Sequence, residues 1–331
     1  MKVKIIAEAG VNHNGNLKIA KKLVDVAKDA KADYIKFQSF SHDKLVVKKG
    51  IKARYQKISS NKNETQREML KKLQLSKLEQ VEIIKYCHKK KIKFLSTAFD
   101  KENLKFLLKN KIDFIKIPSG EITNLPLLKF IRSKKKKILL STGASTLKEI
   151  KDALKILASK KKGNITILQC NSAYPTPLSD INLNVLNVFK KNFNYNFGIS
   201  DHSLSINVPV GAAALGASVI EKHFTLSRKM KGPDHNSSLE PKELKKMVQN
   251  IREIEQAMGK SKKFVTRSEK QNRKIIRKSL VANSNIKKGE KFSKKNITEK
   301  RPAGGISPMD INKVLGKKAT RNFKVDEKIK L

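Results

Sequence analysis

The sequence predicts an α/β protein: a (β/α)8 TIM barrel over residues 1–260, a linker at 261–276 and a small β-rich domain at 277–331. Three observations carry that reading. Short β-rich segments end repeatedly in polar residues or glycine and are followed by amphipathic helical patterns, the alternation of a parallel sheet. They number eight, the count that closes a barrel. After Met258 the pattern gives way to a basic stretch and then a turn-rich segment.

The strands are expected at 4–9, 34–39, 93–98, 114–118, 137–141, 166–171, 196–200 and 218–224. Helical patterns occupy 17–30, 78–89, 103–109, 125–133, 147–158, 183–190 and 206–215, and 241–258 supplies the eighth. The one long interruption between a strand and its helix, 41–75, is charged and rich in Lys, Ser and Asn. A connection of that length is commonly a lid or binding loop, and it is expected over the active site. Beyond residue 276, Ser279 to Ala282, Gly289, Phe292, Ile297 and the turn-rich run from Arg301 to Pro308 read as an irregular β-rich module.

A chain of 331 residues with 38% apolar content can bury one large core and still carry a small appendage. Only two cysteines occur, Cys87 and Cys170, and the start of the chain shows no signal-peptide layout, so a cytoplasmic location is expected. The longest weakly polar run, 208–220, is broken by Pro209 and glycines and is too short for a membrane span. The 74 basic and 29 acidic side chains leave a net charge of +45, which raises the question of an anionic partner. That excess is spread: residues 277–331 carry 16 basic and 5 acidic side chains, and much of the remainder sits on polar helix faces such as Lys71, Lys72, Lys77 and Lys85. With no nucleic-acid motif and few aromatics interleaved for base stacking, a solvated surface that at most steers anionic substrates is expected, not a nucleic-acid binder.

Active sites of (β/α)8 barrels form at the C-terminal ends of the strands. Alternate residues of a strand share a face, so Lys36 with Gln38, Ser200 with His202, and Glu221 with His223 can each point into the barrel mouth. Thr97, Lys116, Ser119, Ser141 and Thr142 stand at equivalent heights on neighbouring strands. Charged groups at the ends of apolar strands are costly to bury without a ligand, which points to a binding site. His202 and His223 end adjacent strands, with Asp201, Glu221 and Asp234 nearby as oxygen donors or supporting partners. Imidazole, carboxylate and water suit a divalent ion such as Mn2+, Mg2+ or Co2+, and the lack of clustered cysteines argues against structural zinc.

Eight motifs then carry a family resemblance. They are the run Ile6 to Gly15, Lys36-Phe37-Gln38, Ser96 to Asp100, Lys116 to Glu121, Ser141-Thr142-Gly143, Tyr174 to Pro177, Ser200-Asp201-His202 and Lys222 to Thr225. In this order and over nearly the whole length, the chain resembles the sialic acid synthases that make N-acetylneuraminate or N,N'-diacetyllegionaminate. Its tail from Lys278 resembles their antifreeze-like SAF domain, with Ala303 where glycine is usual.

The resemblance implies a phosphoenolpyruvate-dependent enzyme that condenses this acid with an N-acetylated mannosamine-type sugar and water, giving a nine-carbon acid and phosphate. A pseudaminate synthase is the alternative. Phosphoenolpyruvate would be held by Lys36, Thr97, Lys116, Ser119, Ser141, Ser172 and Ser200. The sugar would meet Gln38, Tyr174, Asp234 and Arg301, the last delivered by the partner in a domain-swapped homodimer. His202 and His223 would bind the metal, and Glu8 or Glu221 would move protons. Rival readings of the same residues are a Schiff-base aldolase on Lys36 or Lys116, a nucleic-acid-binding protein and a non-catalytic sugar-binding protein.

Overall fold

The computed structural model describes residues 2–61, 63–158 and 164–331. The chain forms two compact units, Met1–Gly259 and Lys260–Leu331. In the first, eight parallel strands close a barrel in chain order. They are β1 Lys4–Gly10, β2 Tyr34–Ser39, β3 Lys93–Ala98, β4 Phe114–Ile117, β5 Lys137–Ser141, β6 Ile165–Cys170, β7 Asn196–Asp201 and β8 Val219–His223. Every expected strand is found within one residue of its expected limits.

The helices of this unit are α1 Leu17–Asp29, α2 His42–Leu45, α3 Arg54–Ser59, α4 Gln66–Leu73, α5 Lys77–Lys90, α6 Lys101–Lys109, α7 Leu125–Arg132, α8 Leu147–Leu157, α9 Val185–Asn192, α10 Asn207–Ala214 and α11 Pro241–Ala257. Several start where the sequence supplies a cap. Asn16, Ser76, Asp100, Asn124 and Thr146 each accept a backbone N–H of the first turn, and Ser76 with Glu79 and Thr146 with Glu149 form capping boxes. The lysines at 71, 72, 77, 85, 89 and 91 are exposed, as their places on the polar faces require.

Side-chain alternation along the strands builds two cores. Ile5, Ala7, Ile35, Phe37 and Ile115 point outward into the apolar layer shared with the helices. Ile6, Tyr34, Leu95, Phe114, Leu139, Leu168 and Val219 point inward and plug the barrel. Two residues further along those strands, the same inward face carries Glu8, Lys36, Thr97, Lys116, Ser141, Cys170 and Glu221. The barrel interior therefore switches from an apolar floor to a polar layer within one alternation.

The segment 41–75 holds three short helices, α2 to α4, where an irregular loop was expected. Met69, Leu70 and Leu73 of α4, with Leu45 and Val46, pack on Val11, Phe40 and Phe99, so this segment has an apolar anchor of its own. The second unit contains α12 Glu269–Ile276 and the antiparallel pair β9 Ser279–Ala282 and β10 Ile297–Lys300. Leu280, Phe292, Ile297, Val314, Phe323 and Ile329 form its core. The stretch 261–276, expected as a linker, belongs to this unit by its contacts and includes α12.

Candidate active site

The polar layer opens into a cavity of about 430 Å³ at the C-terminal face of the barrel. Register explains the convergence. Glu8 pairs with Lys36 across β1 and β2, and with His223 across β1 and β8; Thr97 pairs with Lys116, and Ser200 with Glu221. Lys36 Nζ lies 2.8 Å from Thr97 Oγ1, 2.9 Å from Glu8 Oε2 and 3.6 Å from Glu221 Oε2. Lys116 Nζ donates to Glu221 Oε1 at 2.8 Å, and Ser200 Oγ donates to the same oxygen at 2.9 Å. All of these side chains are buried.

Their environments drive the two carboxyls apart. Burial pushes Glu8 up to about 7, against the pull of Lys36. Burial acts on Glu221 in the same direction, but Lys116 and Lys36 outweigh it and bring that carboxyl down to about 2. Burial alone would lower the Lys36 ammonium, yet Glu221 and Glu8 hold it above its ordinary range. Lys36 is thus locked in its charged form at neutral pH.

One side of the cavity is built from hydroxyls around a glycine. The Gly143 N–H donates to Ser119 Oγ at 2.9 Å. A Cβ at 143 would stand 2.6 Å from Ser172 Oγ, 2.8 Å from Ser119 Oγ and 3.3 Å from Cys170 Sγ, so only glycine leaves this hollow open. Ser141 Oγ is buried beside it with no hydrogen-bond partner among the described residues. A buried hydroxyl without a partner, lining the same cavity as Lys36 and Lys116, can donate to an anion.

The wall next to this hollow is aromatic. The Tyr174 ring stacks on His202 with centroids 4.1 Å apart and meets His223 edge-on at 5.8 Å. His202 Nδ1 lies 2.6 Å from the Asn171 carbonyl, which fixes the tautomer, while Nε2 faces the Tyr174 hydroxyl at 3.1 Å. Burial would lower the His202 imidazole, but Cys170, with its Sγ 3.9 Å from Nδ1, outweighs it and holds the group above its ordinary value. Burial, then His202 and Lys36, keep His223 well below its ordinary value and so neutral. His223 Nδ1 is buried without a partner among the described residues.

All the expected site residues line this cavity except two. Asp234 lines the adjoining cavity instead, with its carboxyl pushed up to about 6 by burial against the opposing pull of His202. Arg301 is exposed in the second unit, just after β10. Asp201, expected among the oxygen donors near the histidines, turns away from the mouth and closes a buried pair with Lys222 at 2.6 Å. Its neighbours Ser200 and His202 face inward, so alternation sends Asp201 outward. Thr142 Oγ1 donates to the Leu168 carbonyl at 2.9 Å.

The sequence profile of the NeuB family matches residues 23–263, and a SAF domain profile matches 277–330. The chain belongs to the NeuB family. It is 49% identical, over 99% of both chains, to the N,N'-diacetyllegionaminic acid synthase of Campylobacter jejuni serotype O:2. It is 34% identical to the pseudaminic acid synthase of the same strain, over 99% of this chain and 96% of that protein. Among solved structures it is similar to the N-acetylneuraminic acid synthetase of Leptospira borgpetersenii in complex with citrate, with 35% identity, a TM-score of 0.72, and 82% of this chain and 90% of that one covered.

Membership of the NeuB family agrees with the family resemblance read from the motifs. Several lining residues carried no such signal. Leu45, Val46, Tyr55, Gln56 and Leu70 reach the cavity from the segment 41–75, and Tyr55 stacks on Tyr174 with centroids 4.8 Å apart. The expectation that this segment covers the site is met by these side chains. The Thr65–Glu68 capping box that starts α4 was the available signal for one of its helices. His202 and His223, beside Tyr174, are the side chains that could contribute to holding a divalent ion. Two imidazoles converge with centroids 5.3 Å apart, one of them neutral and with an unpartnered nitrogen. No group of three or more His, Cys, Asp and Glu side chains that could hold a metal occurs among the described residues, so substrate or water oxygens would have to complete the coordination.

Proposed function

We propose that this protein condenses phosphoenolpyruvate with 2,4-diacetamido-2,4,6-trideoxymannose and water, releasing phosphate and N,N'-diacetyllegionaminate. The observation that carries this reading is the lining of the cavity. Lys36, Lys116, Thr97, Ser200 and the hydroxyls around Gly143 supply donors for a phosphate and a carboxylate, and Tyr174, His202, His223 and Gln38 supply polar and aromatic contacts for a sugar. The relatives support this branch: 49% identity to a diacetyllegionaminate synthase against 34% to a pseudaminate synthase of the same strain.

In this reading C3 of phosphoenolpyruvate attacks the aldehyde carbon of the open-chain sugar. Water adds at C2, and phosphate leaves with cleavage of its carbon–oxygen bond. Lys36 and Lys116 neutralise the phosphate as it departs, and Ser119, Ser141 and Ser172 hold its oxygens. Glu8, with its carboxyl near 7, accepts the proton of the adding water, which balances the proton taken up by the aldehyde oxygen as it becomes a hydroxyl, while Glu221 stays ionised and anchors Lys116. His202 and His223 would hold Mn2+, or Mg2+ or Co2+ in its place, and such an ion supplies Lewis acidity to the aldehyde oxygen.

No arginine lines the cavity among the described residues. A homodimer exchanging SAF domains would let Arg301 of the partner subunit supply one to the sugar. Both cysteines are buried free thiols, which suits work in the reducing cytoplasm. The aldolase reading is disfavoured because its amine nucleophile must shed a proton, whereas Lys36 is paired with Glu8 at 2.9 Å and held charged, and Lys116 is paired with Glu221 at 2.8 Å.

Phosphate release from phosphoenolpyruvate with Mn2+, with mass detection of the product, tests the proposal. The expected result is release driven by the diacetamido sugar. If folded protein releases no phosphate with this sugar, with N-acetylmannosamine or with the pseudaminate precursor, the synthase reading is lost, and a lysine adduct trapped by borohydride would revive the aldolase.

A further inference from the structure

Beside the catalytic mouth, under α3 and α4, lies a smaller cavity of about 80 Å³. The two spaces adjoin, with Gln38, Tyr55, Gln56, Leu70, Tyr174 and His223 bordering both. Gly10, at φ +53°, marks their junction. A Cβ there would stand 3.2 Å from His223 Cε1, 3.4 Å from Asp234 Oδ2 and 3.4 Å from Gln38 Nε2. A sugar seated against His223 would have the smaller cavity beside it.

That cavity has its own chemistry. One wall is apolar, made by Val11, Met69, Leu73 and Pro233. Its rim is polar: Asp234 offers a buried carboxyl, and the Gln56 amide is fixed by bonds to Ala53 N at 3.0 Å and Tyr55 Oη at 3.4 Å. A water needs roughly 10–15 Å³ of such space, so the volume corresponds to roughly five to eight water-sized positions. An acetamido group has four non-hydrogen atoms, with a methyl for the apolar wall and an N–H and C=O for the rim. A hydroxyl would leave most of the space empty and the wall without contacts.

Atom balance supplies the rest. Phosphoenolpyruvate contains no nitrogen, so a product with two acetamido groups takes both from the sugar. We infer that the cavity under α3 and α4 is the subsite for the C4 acetamido group, and that it selects diacylated over monoacylated sugars. This rests on the synthase reading above. The same Met69, Leu73 and Pro233 also border an outer cavity of about 630 Å³ that includes Asn14 and Lys231, so these three side chains form the partition between the subsite and the outer space.

The experiment compares kcat/KM, by phosphate release, for 2,4-diacetamido-2,4,6-trideoxymannose and its 4-hydroxy counterpart. The wild type is expected to prefer the diacetamido sugar at least tenfold. Leu73→Phe fills the subsite and should cut that preference at least tenfold. Met69→Ala thins the partition and should raise the rate with a 4-butanamido sugar relative to the 4-acetamido sugar at least fivefold. A wild type without preference, or a folded Leu73→Phe protein whose preference moves less than twofold, overturns the subsite while leaving the synthase intact. If Leu73→Phe does not fold, the Met69→Ala comparison decides alone, and an unchanged butanamido ratio counts against the subsite. Absence of phosphate release with either sugar in the wild type removes the synthase reading and the subsite with it.

Discussion

Lys36 Nζ lies 2.9 Å from Glu8 Oε2, and yet burial keeps the Glu8 carboxyl at about 7. The same ammonium is 3.6 Å from Glu221, which Lys116 and Lys36 bring to about 2. Two carboxyls in one buried cluster are thereby sorted into a group that exchanges its proton near neutrality and one that remains an anion.

The first prediction concerns pH. If Glu8 accepts a proton from the adding water, kcat should rise with pH through about 7 and then level off. Glu8→Gln should lower kcat by roughly 10²–10⁴-fold and abolish that limb. Stability moves the other way. The folded Glu8 keeps a proton that the unfolded chain releases above 4.5, so its contribution falls as pH rises from 4.5 to about 7. Urea melts of wild type and Glu8→Gln across that window should diverge, and parallel curves would refute the assignment.

Glu221→Gln tests the counter-ion. Lys116 would be left in the barrel without its 2.8 Å partner, and loss of one member of a buried pair costs about 3–5 kcal/mol. Phosphate or phosphoenolpyruvate, by returning negative charge to the lysines, should recover part of the loss. Urea denaturation with and without phosphate measures both. A variant as stable as the wild type would show that Glu221 is not the anchor.

How far the sequence revealed this site depends on parity and length. Two-residue alternation from an apolar floor to a polar layer was legible in β1, β2, β3, β4, β5 and β8, since Ile6 and Glu8, or Leu95 and Thr97, sit in the chain itself. The same parity, applied strictly, would have sent Asp201 and Lys222 outward to their buried pair. The wall formed by Tyr55, Gln56 and Leu70 was hidden because α2, α3 and α4 span only 4, 6 and 8 residues. Segments so short have little periodicity to read, and tertiary packing decides their structure.

Gly143 provides a test confined to the anion contacts. A methyl at 143 would occupy the hollow between Ser119 Oγ and Ser172 Oγ, 2.8 and 2.6 Å away. Gly143→Ala should raise KM for phosphoenolpyruvate at least tenfold, a change of about 1.4 kcal/mol in binding. The KM for the sugar should move much less. Steady-state kinetics with each substrate varied in turn separates the two, and equal effects on both would argue against a phosphate cradle here.

The metal assignment can be tested without turnover. His223 is neutral and buried with Nδ1 unpartnered, an arrangement that costs stability until something occupies the space beside it. A ligand that binds only the folded state stabilises by RT ln(1 + [L]/Kd), about 2.7 kcal/mol at a hundredfold excess over Kd. Mn2+ added to chelator-treated wild type should therefore raise its melting temperature by several degrees, and Mn2+ should also restore phosphate release. In His223→Ala both responses should vanish, since one imidazole leaves too few protein donors to hold the ion. If the variant still gained stability from Mn2+ but lost activity, His223 would serve the sugar and not the metal. If chelated wild type kept full activity, neither histidine would be a ligand that the reaction needs.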